Sequence, residues 1–144
     1  MLPYTLERLR QLLQRTLQSG TFTTFHFKTL QLTSASNGQC TAEIKVDENL
    51  VNGKGSLQGG MAATLVDIIS TYALLTLRDV RNVSVDLSMS YLAKAKLGDV
   101  VAVEAYTSKL GRTTAFLTVD LRNKDTGKLA REKGFDTKHL LRSI

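Results

Sequence analysis

The 144-residue sequence is poor in residues that impose covalent or rigid constraints: it has one cysteine, one proline and no tryptophan. A single thiol, Cys40, closes no intramolecular disulfide, and no basic-then-apolar leader with a small-residue cleavage site opens the chain. An intracellular, reducing setting, cytoplasm or mitochondrion, is the expectation. With Pro3 as the sole proline there is no proline-rich linker, and neither internal repeats nor low-complexity segments divide the chain. The two histidines, His26 and His139, lie far from each other and from Cys40, so the Cys/His spacings of a metal site are missing. No metal and no redox cofactor is expected. Long apolar runs are scarce too. The longest, Met61 to Leu77, is broken by Thr64, Asp67, Ser70 and Thr71 and is short for a bilayer, so no integral membrane association is expected.

What is present describes a folded domain. Hydrophobic residues make up 42% and charged residues 22% of the chain, and the length suits one domain over 1–144 with an ordinary core. The net charge of +6 favours anionic partners: nucleic acid, a membrane surface or a phosphorylated small molecule. Aromatic residues are not interleaved with a basic run and no RNA-binding signature occurs, so nucleic acid is not expected.

Leu2, Leu6, Leu9, Leu13 and Leu17 recur at helical spacing and predict an amphipathic helix within residues 1–20, ending near Ser19 and Gly20, with Arg8, Arg10 and Arg15 on its other face. Packing on the domain is the expected use of this helix. From about residue 40 to residue 140 the core follows. Cys40, Ala42, Ile44 and Val46 alternate with polar residues and predict a half-buried strand; Val83, Val85, Leu87, Met89 and Tyr91 predict a second with those side chains on one face. Further strands are expected at 100–108, at 113–122 and from about Lys128 to Lys138, making an antiparallel meander across the turns at Leu110-Gly111 and Asp125-Thr126-Gly127. The segment after Gly59-Gly60 is apolar all round and predicts a helix buried on most sides. The order is helix, one or two strands, buried helix, four strands: an α+β fold with an antiparallel sheet wrapped around a central helix.

The chemistry-bearing constellation sits where that helix begins. Asn52 to Gly60 contains four glycines, which lets backbone N–H groups come close to a ligand. A phosphate loop is excluded, because Met61 and Ala62 stand where lysine and serine or threonine are required. A nucleophilic serine elbow fails as well, since Ser56 and Ser70 lack the flanking glycines. What remains is a helix start with free donors, suited to a carbonyl oxygen that gains negative charge. Asp67, the only charged side chain between Leu57 and Leu77, follows about two turns on. Two readings stand for it: a carboxylate kept in an apolar helix for catalysis, with a carbonyl at the helix start within its reach, or one that meets the rim of the core or bonds to a neighbouring strand.

Leu57-Gln58-Gly59-Gly60-Met61 through Asp67, then Val83-Ser84-Val85-Asp86-Leu87 with Tyr91, then Lys96-Leu97-Gly98-Asp99 resemble the hotdog-fold thioesterases, and the likeness runs from Asn52 to Leu140. The resemblance implies acyl-coenzyme A hydrolysis, with Asp67 as general base or nucleophile, the Gly59 N–H as oxyanion donor, and Asn52 and Ser84 placing the water and the aspartate. It departs at one position: Gln58 stands where the family has histidine, a neutral donor that cannot titrate. A non-catalytic acyl-coenzyme A binding protein is therefore the alternative. The resemblance also places the coenzyme near Lys109, Gly111 and Arg112 of one turn and near Lys138 and His139, residues whose other reading is solvated strand ends. It implies a role in fatty acid metabolism and a homotetramer built as a dimer of dimers.

Overall fold

The computed structural model describes residues 2–126 and 132–141. The leucine repeat forms α1 (Leu6–Leu17), whose N-cap Thr5 accepts from the Arg8 N–H at 3.2 Å. Leu9 and Leu13 are its buried positions. A short α2 (Phe22–His26) follows, then the hairpin of β1 (Gln31–Ser36) and β2 (Gln39–Lys45). Asn37 and Gly38, with φ of 51° and 83°, make the left-handed tight turn that an Asn-Gly pair favours. The apolar segment is α3 (Gly59–Leu75), and β3 (Arg81–Tyr91), β4 (Val100–Leu110), β5 (Thr114–Asn123) and β6 (Glu132–Leu141) complete the chain. The expected start of the last strand near Lys128, and the end of its turn at Gly127, lie outside the described residues.

Among the described residues the strands form one antiparallel sheet in the order β1-β2-β4-β5-β6-β3. β4, β5 and β6 are the expected meander, while β3 crosses to the far edge and pairs with β6. α3 lies in the concave face and touches all six strands. Leu65, Val66, Ile69 and Leu74 join Ile44, Val103, Leu117 and Val119 in one core, removing apolar surface from water on both the helix and the sheet. At Gly134 the helix approaches β6 so closely that a Cβ would stand 2.6 Å from Val66 Cγ2 and 2.9 Å from Met89 Sδ. No helix among the described residues is long and apolar enough to cross a membrane.

β3 departs from the alternation read in its sequence. Its pairing with β6 shifts between Ser84 and Asp86, leaving Val85 as a bulge. Before the bulge Ser84 faces Lys138 on the inner side; after it Leu87 faces Asp136 and Met89 faces Gly134 on that same side. The extra residue changes the parity of the strand, so Ser84 turns inward while Leu87 and Met89 still pack on the core. Val83 and Val85, expected on the core face, are instead 47% and 60% exposed.

Candidate active site

The glycine-rich loop is built by Asn52. Its Oδ1 accepts from Lys54 N–H at 2.9 Å and Ser56 N–H at 3.2 Å, its carbonyl accepts from Gly55 N–H at 3.0 Å, and Gly55 takes a φ of 76° that a side chain would strain. Leu57 N–H bonds to Ala95 O at 2.7 Å and Leu97 N–H to Gly55 O at 2.9 Å, pinning the loop to the β3–β4 connection. Gln58 is the N-cap of α3, yet its side chain makes no capping bond, which leaves the amide uncommitted among the described residues. Gly59 and Gly60 N–H find no acceptor among the described residues, as expected of the first amides of a helix. Tyr91 Oη donates to Gly59 O at 3.0 Å, so the phenol ring closes over the helix start. A cavity of about 470 Å³ opens here, lined by Asn52, Gln58, Gly59, Gly60, Tyr91 and Lys94 among others.

Asp67 lies in the third turn of α3. In the isolated chain its side chain is 55% exposed, so the carboxylate stands at the rim of the core and not inside it. α3 leaves one stripe uncovered by the sheet, Gly60, Thr64, Asp67 and Thr71, and Asp67 stands in it. Thr64 and Thr71 donate back to Gly60 O and Asp67 O, both at 2.8 Å, so their hydroxyls are spent on the helix itself. Behind the carboxylate lies a polar cluster in which the expected Ser84 is joined by Lys138 and Asp136 of β6. Lys138 Nζ is 3.2 Å from Asp67 Oδ1, 2.9 Å from Asp136 Oδ2 and 3.0 Å from Ser84 Oγ. Ser84 Oγ lies 3.1 Å from Asp67 Oδ1 and 3.0 Å from Asp136 Oδ2. Ser70, one turn along α3, donates to Asp136 Oδ2 at 3.2 Å.

The expected residues therefore separate into three places. Asn52, Gln58 and Gly59 share the cavity at the helix start. Asp67 and Ser84 meet at the middle of the helix. Lys109, Gly111, Arg112 and His139 gather at the β4–β5 turn, where Thr114 pairs with His139 and Lys109 with Phe116 on the outer face. Lys138 does not join them. Neighbours on a strand point to opposite faces, so with His139 outward Lys138 turns inward, where it is 1% exposed; it is no surface contact for a coenzyme phosphate. The reach from Gly59 to Asp67 is corrected as well: eight residues of helix span about 12 Å, and Asp67 borders a different cavity, with Thr16, Thr23, Ile68 and Tyr72. Tyr91, Lys94, Ser70 and Asp136 are the site residues that sequence reasoning missed.

Residues 54–130 match the family model described as the thioesterase superfamily. The chain is 49% identical over 112 residues to acyl-coenzyme A thioesterase 13 of Homo sapiens, covering 77% of this chain and 79% of that protein. It is similar to the crystal structure of zebra fish thioesterase superfamily member 2, with a TM-score of 0.89 at 41% identity over 96% of this chain and 99% of that one. A hypothetical thioesterase protein from Streptococcus pneumoniae, solved with coenzyme A, gives a TM-score of 0.79 at 26% identity over 90% of this chain and 99% of that one. The family-model match runs through most of the glycine loop, the central helix and strands β3 to β5: the chain is a hotdog-fold protein and belongs to the thioesterase superfamily.

Proposed function

We propose that this protein hydrolyses fatty acyl-coenzyme A to a free fatty acid and coenzyme A, at sites shared between subunits of a homo-oligomer. The observation that carries the reading is Asp67: an exposed carboxylate on an otherwise apolar helix, held through Oδ1 by Lys138 and Ser84, with no donor on its other oxygen among the described residues. Asp67 draws a proton from water as it adds to the thioester carbonyl, or attacks that carbonyl itself to give an anhydride that water then opens. Either way the carbonyl oxygen becomes an oxyanion that the Gly59 N–H and the Gln58 amide receive, and its collapse expels the coenzyme thiolate, which takes up a proton. Asn52 positions the water. Lys109, Gly111, Arg112 and His139 hold the phosphorylated end of the coenzyme, which gives the positive net charge a use.

The shared site rests on distance. One carbonyl cannot touch donors and a base about 12 Å apart, whereas two central helices running antiparallel across a two-fold axis would bring Gly59 of one copy to Asp67 of the other. The uncovered α3 stripe and the exposed Val83 and Val85 of edge strand β3 supply surface for that contact. A dimer of dimers, working in fatty acid metabolism in cytoplasm or mitochondrion, is the fuller form of the proposal. The test is thiol release from a panel of acyl-coenzyme A esters, with light scattering on the same sample. Turnover by an oligomer supports the reading; turnover by a monomer ends the shared-site model. Tight binding without turnover transfers the case to a binding protein, the reading that Gln58 in place of histidine favours.

A further inference from the structure

We infer that Lys138, backed by Asp136, is a positioning residue for Asp67, fixing which carboxylate oxygen is free to react. The inference rests on the reading of Asp67 as the catalytic carboxylate. Lys138 is 1% exposed and the Asp136 side chain is 0% exposed, so this charged pair lies inside the molecule, where ions are kept only when paired and hydrogen-bonded. Had the pair served packing alone, the two ions would satisfy each other. Instead the ammonium spends its three donors on three elements: 2.9 Å to Asp136 of its own β6, 3.0 Å to Ser84 of β3 and 3.2 Å to Asp67 of α3. A side chain with no room to move is thereby aimed from the core at the exposed acid.

The contacts on Asp67 are one-sided. Lys138 and Ser84 both reach Oδ1, and Oδ2 has no donor among the described residues. Oδ2 is the oxygen left for water or the thioester, and the plane of the carboxylate is set by the two bonds on its partner. Asp136 anchors the arrangement, because its Oδ2 accepts from Lys138 and from Ser70 one turn beyond Asp67, tying α3 to β6 next to the acid, while the Ser84 hydroxyl lies between the two carboxylates, 3.1 Å from Asp67 Oδ1 and 3.0 Å from Asp136 Oδ2. The Val85 bulge completes it by turning Ser84 inward.

The experiment uses the full chain and a Lys138→Met/Asp136→Asn double variant, which removes both interior charges together and keeps an acceptor for Ser70 and Ser84. Folding is verified by thermal melting, and kcat and KM for acyl-coenzyme A are compared with wild type in two backgrounds, native and Asp67→Asn. Positioning predicts that kcat falls by about tenfold to a hundredfold in the native background, the size of one charge-assisted bond, with KM within about twofold. In the Asp67→Asn background the same change costs under about threefold, since the group being positioned is gone. An unchanged kcat, a rise in KM alone, or an equal loss in both backgrounds overturns the positioning role. Wild-type turnover by Asp67→Asn on its own would instead remove the catalytic reading of Asp67, an outcome read from a different variant.

Discussion

The first and third turns of α3 are opposites. At the first turn the Gly59 and Gly60 N–H groups and the Gln58 amide are uncommitted among the described residues, and Tyr91 is the side chain that closes over them. At the third turn the acid is held by two other elements, with one oxygen occupied twice. The same helix thus keeps donors open at its start and an acceptor fixed at its middle. The difference teaches a division of labour: the start waits for an acceptor that a ligand must bring, while the middle is organised before any ligand arrives.

Breaking the third turn has the largest expected effect. Lys138→Met alone leaves the Asp136 carboxylate uncompensated in the interior, and urea unfolding should show a loss of about 3–5 kcal/mol; a loss below about 1 kcal/mol would mean that charge does not hold this region. Asp67→Asn comes next. It should lower kcat by on the order of a hundredfold or more. Because the side chain is half exposed and Lys138 keeps Asp136, stability should shift by no more than about 1 kcal/mol. A structural aspartate would give the reverse: a lower melting temperature with full activity per folded molecule.

The first turn should respond in rate and not in stability. Gln58→Ala removes one neutral donor to the oxyanion and should cost about tenfold to a hundredfold in kcat. Its melting temperature should match wild type, since the Gln58 side chain caps nothing, and Gln58→His should recover much of the rate. Equal rates for Gln58→Ala and wild type would take this residue out of the oxyanion site. The smallest effect belongs to the β4–β5 turn: alanine at Lys109 and Arg112 should raise KM by about threefold at low ionic strength, with the difference from wild type shrinking as salt screens it. If KM and its salt dependence do not move, the coenzyme phosphates bind elsewhere.

The same contrast marks what could be read from the sequence. The helix start was legible because glycine density and the absence of a lysine after Gly60 are local facts, and α3 was legible because an all-round apolar segment must be buried. The polar cluster was not. Asp136 and Lys138 look like surface residues of a strand whose apolar Phe135 argues for the opposite face inward, yet Phe135 is exposed and the charged side points into the core. Their spacing of two places both charges on one face of β6, which was the available signal, but only the pairing with β3 and the nearness of α3 give them partners. The Val85 bulge was hidden for a related reason: the alternation from Val83 to Tyr91 is unbroken in sequence, and the shift of register appears only against β6. β1 passed without a firm assignment because Leu32 and Ala35 are its few apolar side chains.

The sole cysteine gives the protein a built-in reporter. Cys40 is fully buried in β2, and burial pushes its thiol from 9.0 up to about 12, so the reactive thiolate is suppressed at neutral pH while the chain stays folded. A disulfide reagent used to titrate released coenzyme would therefore register product thiol and nothing from intact enzyme. Unfolding uncovers one further equivalent per chain, and the same colour reaction would then read the fraction of molecules that have lost their fold.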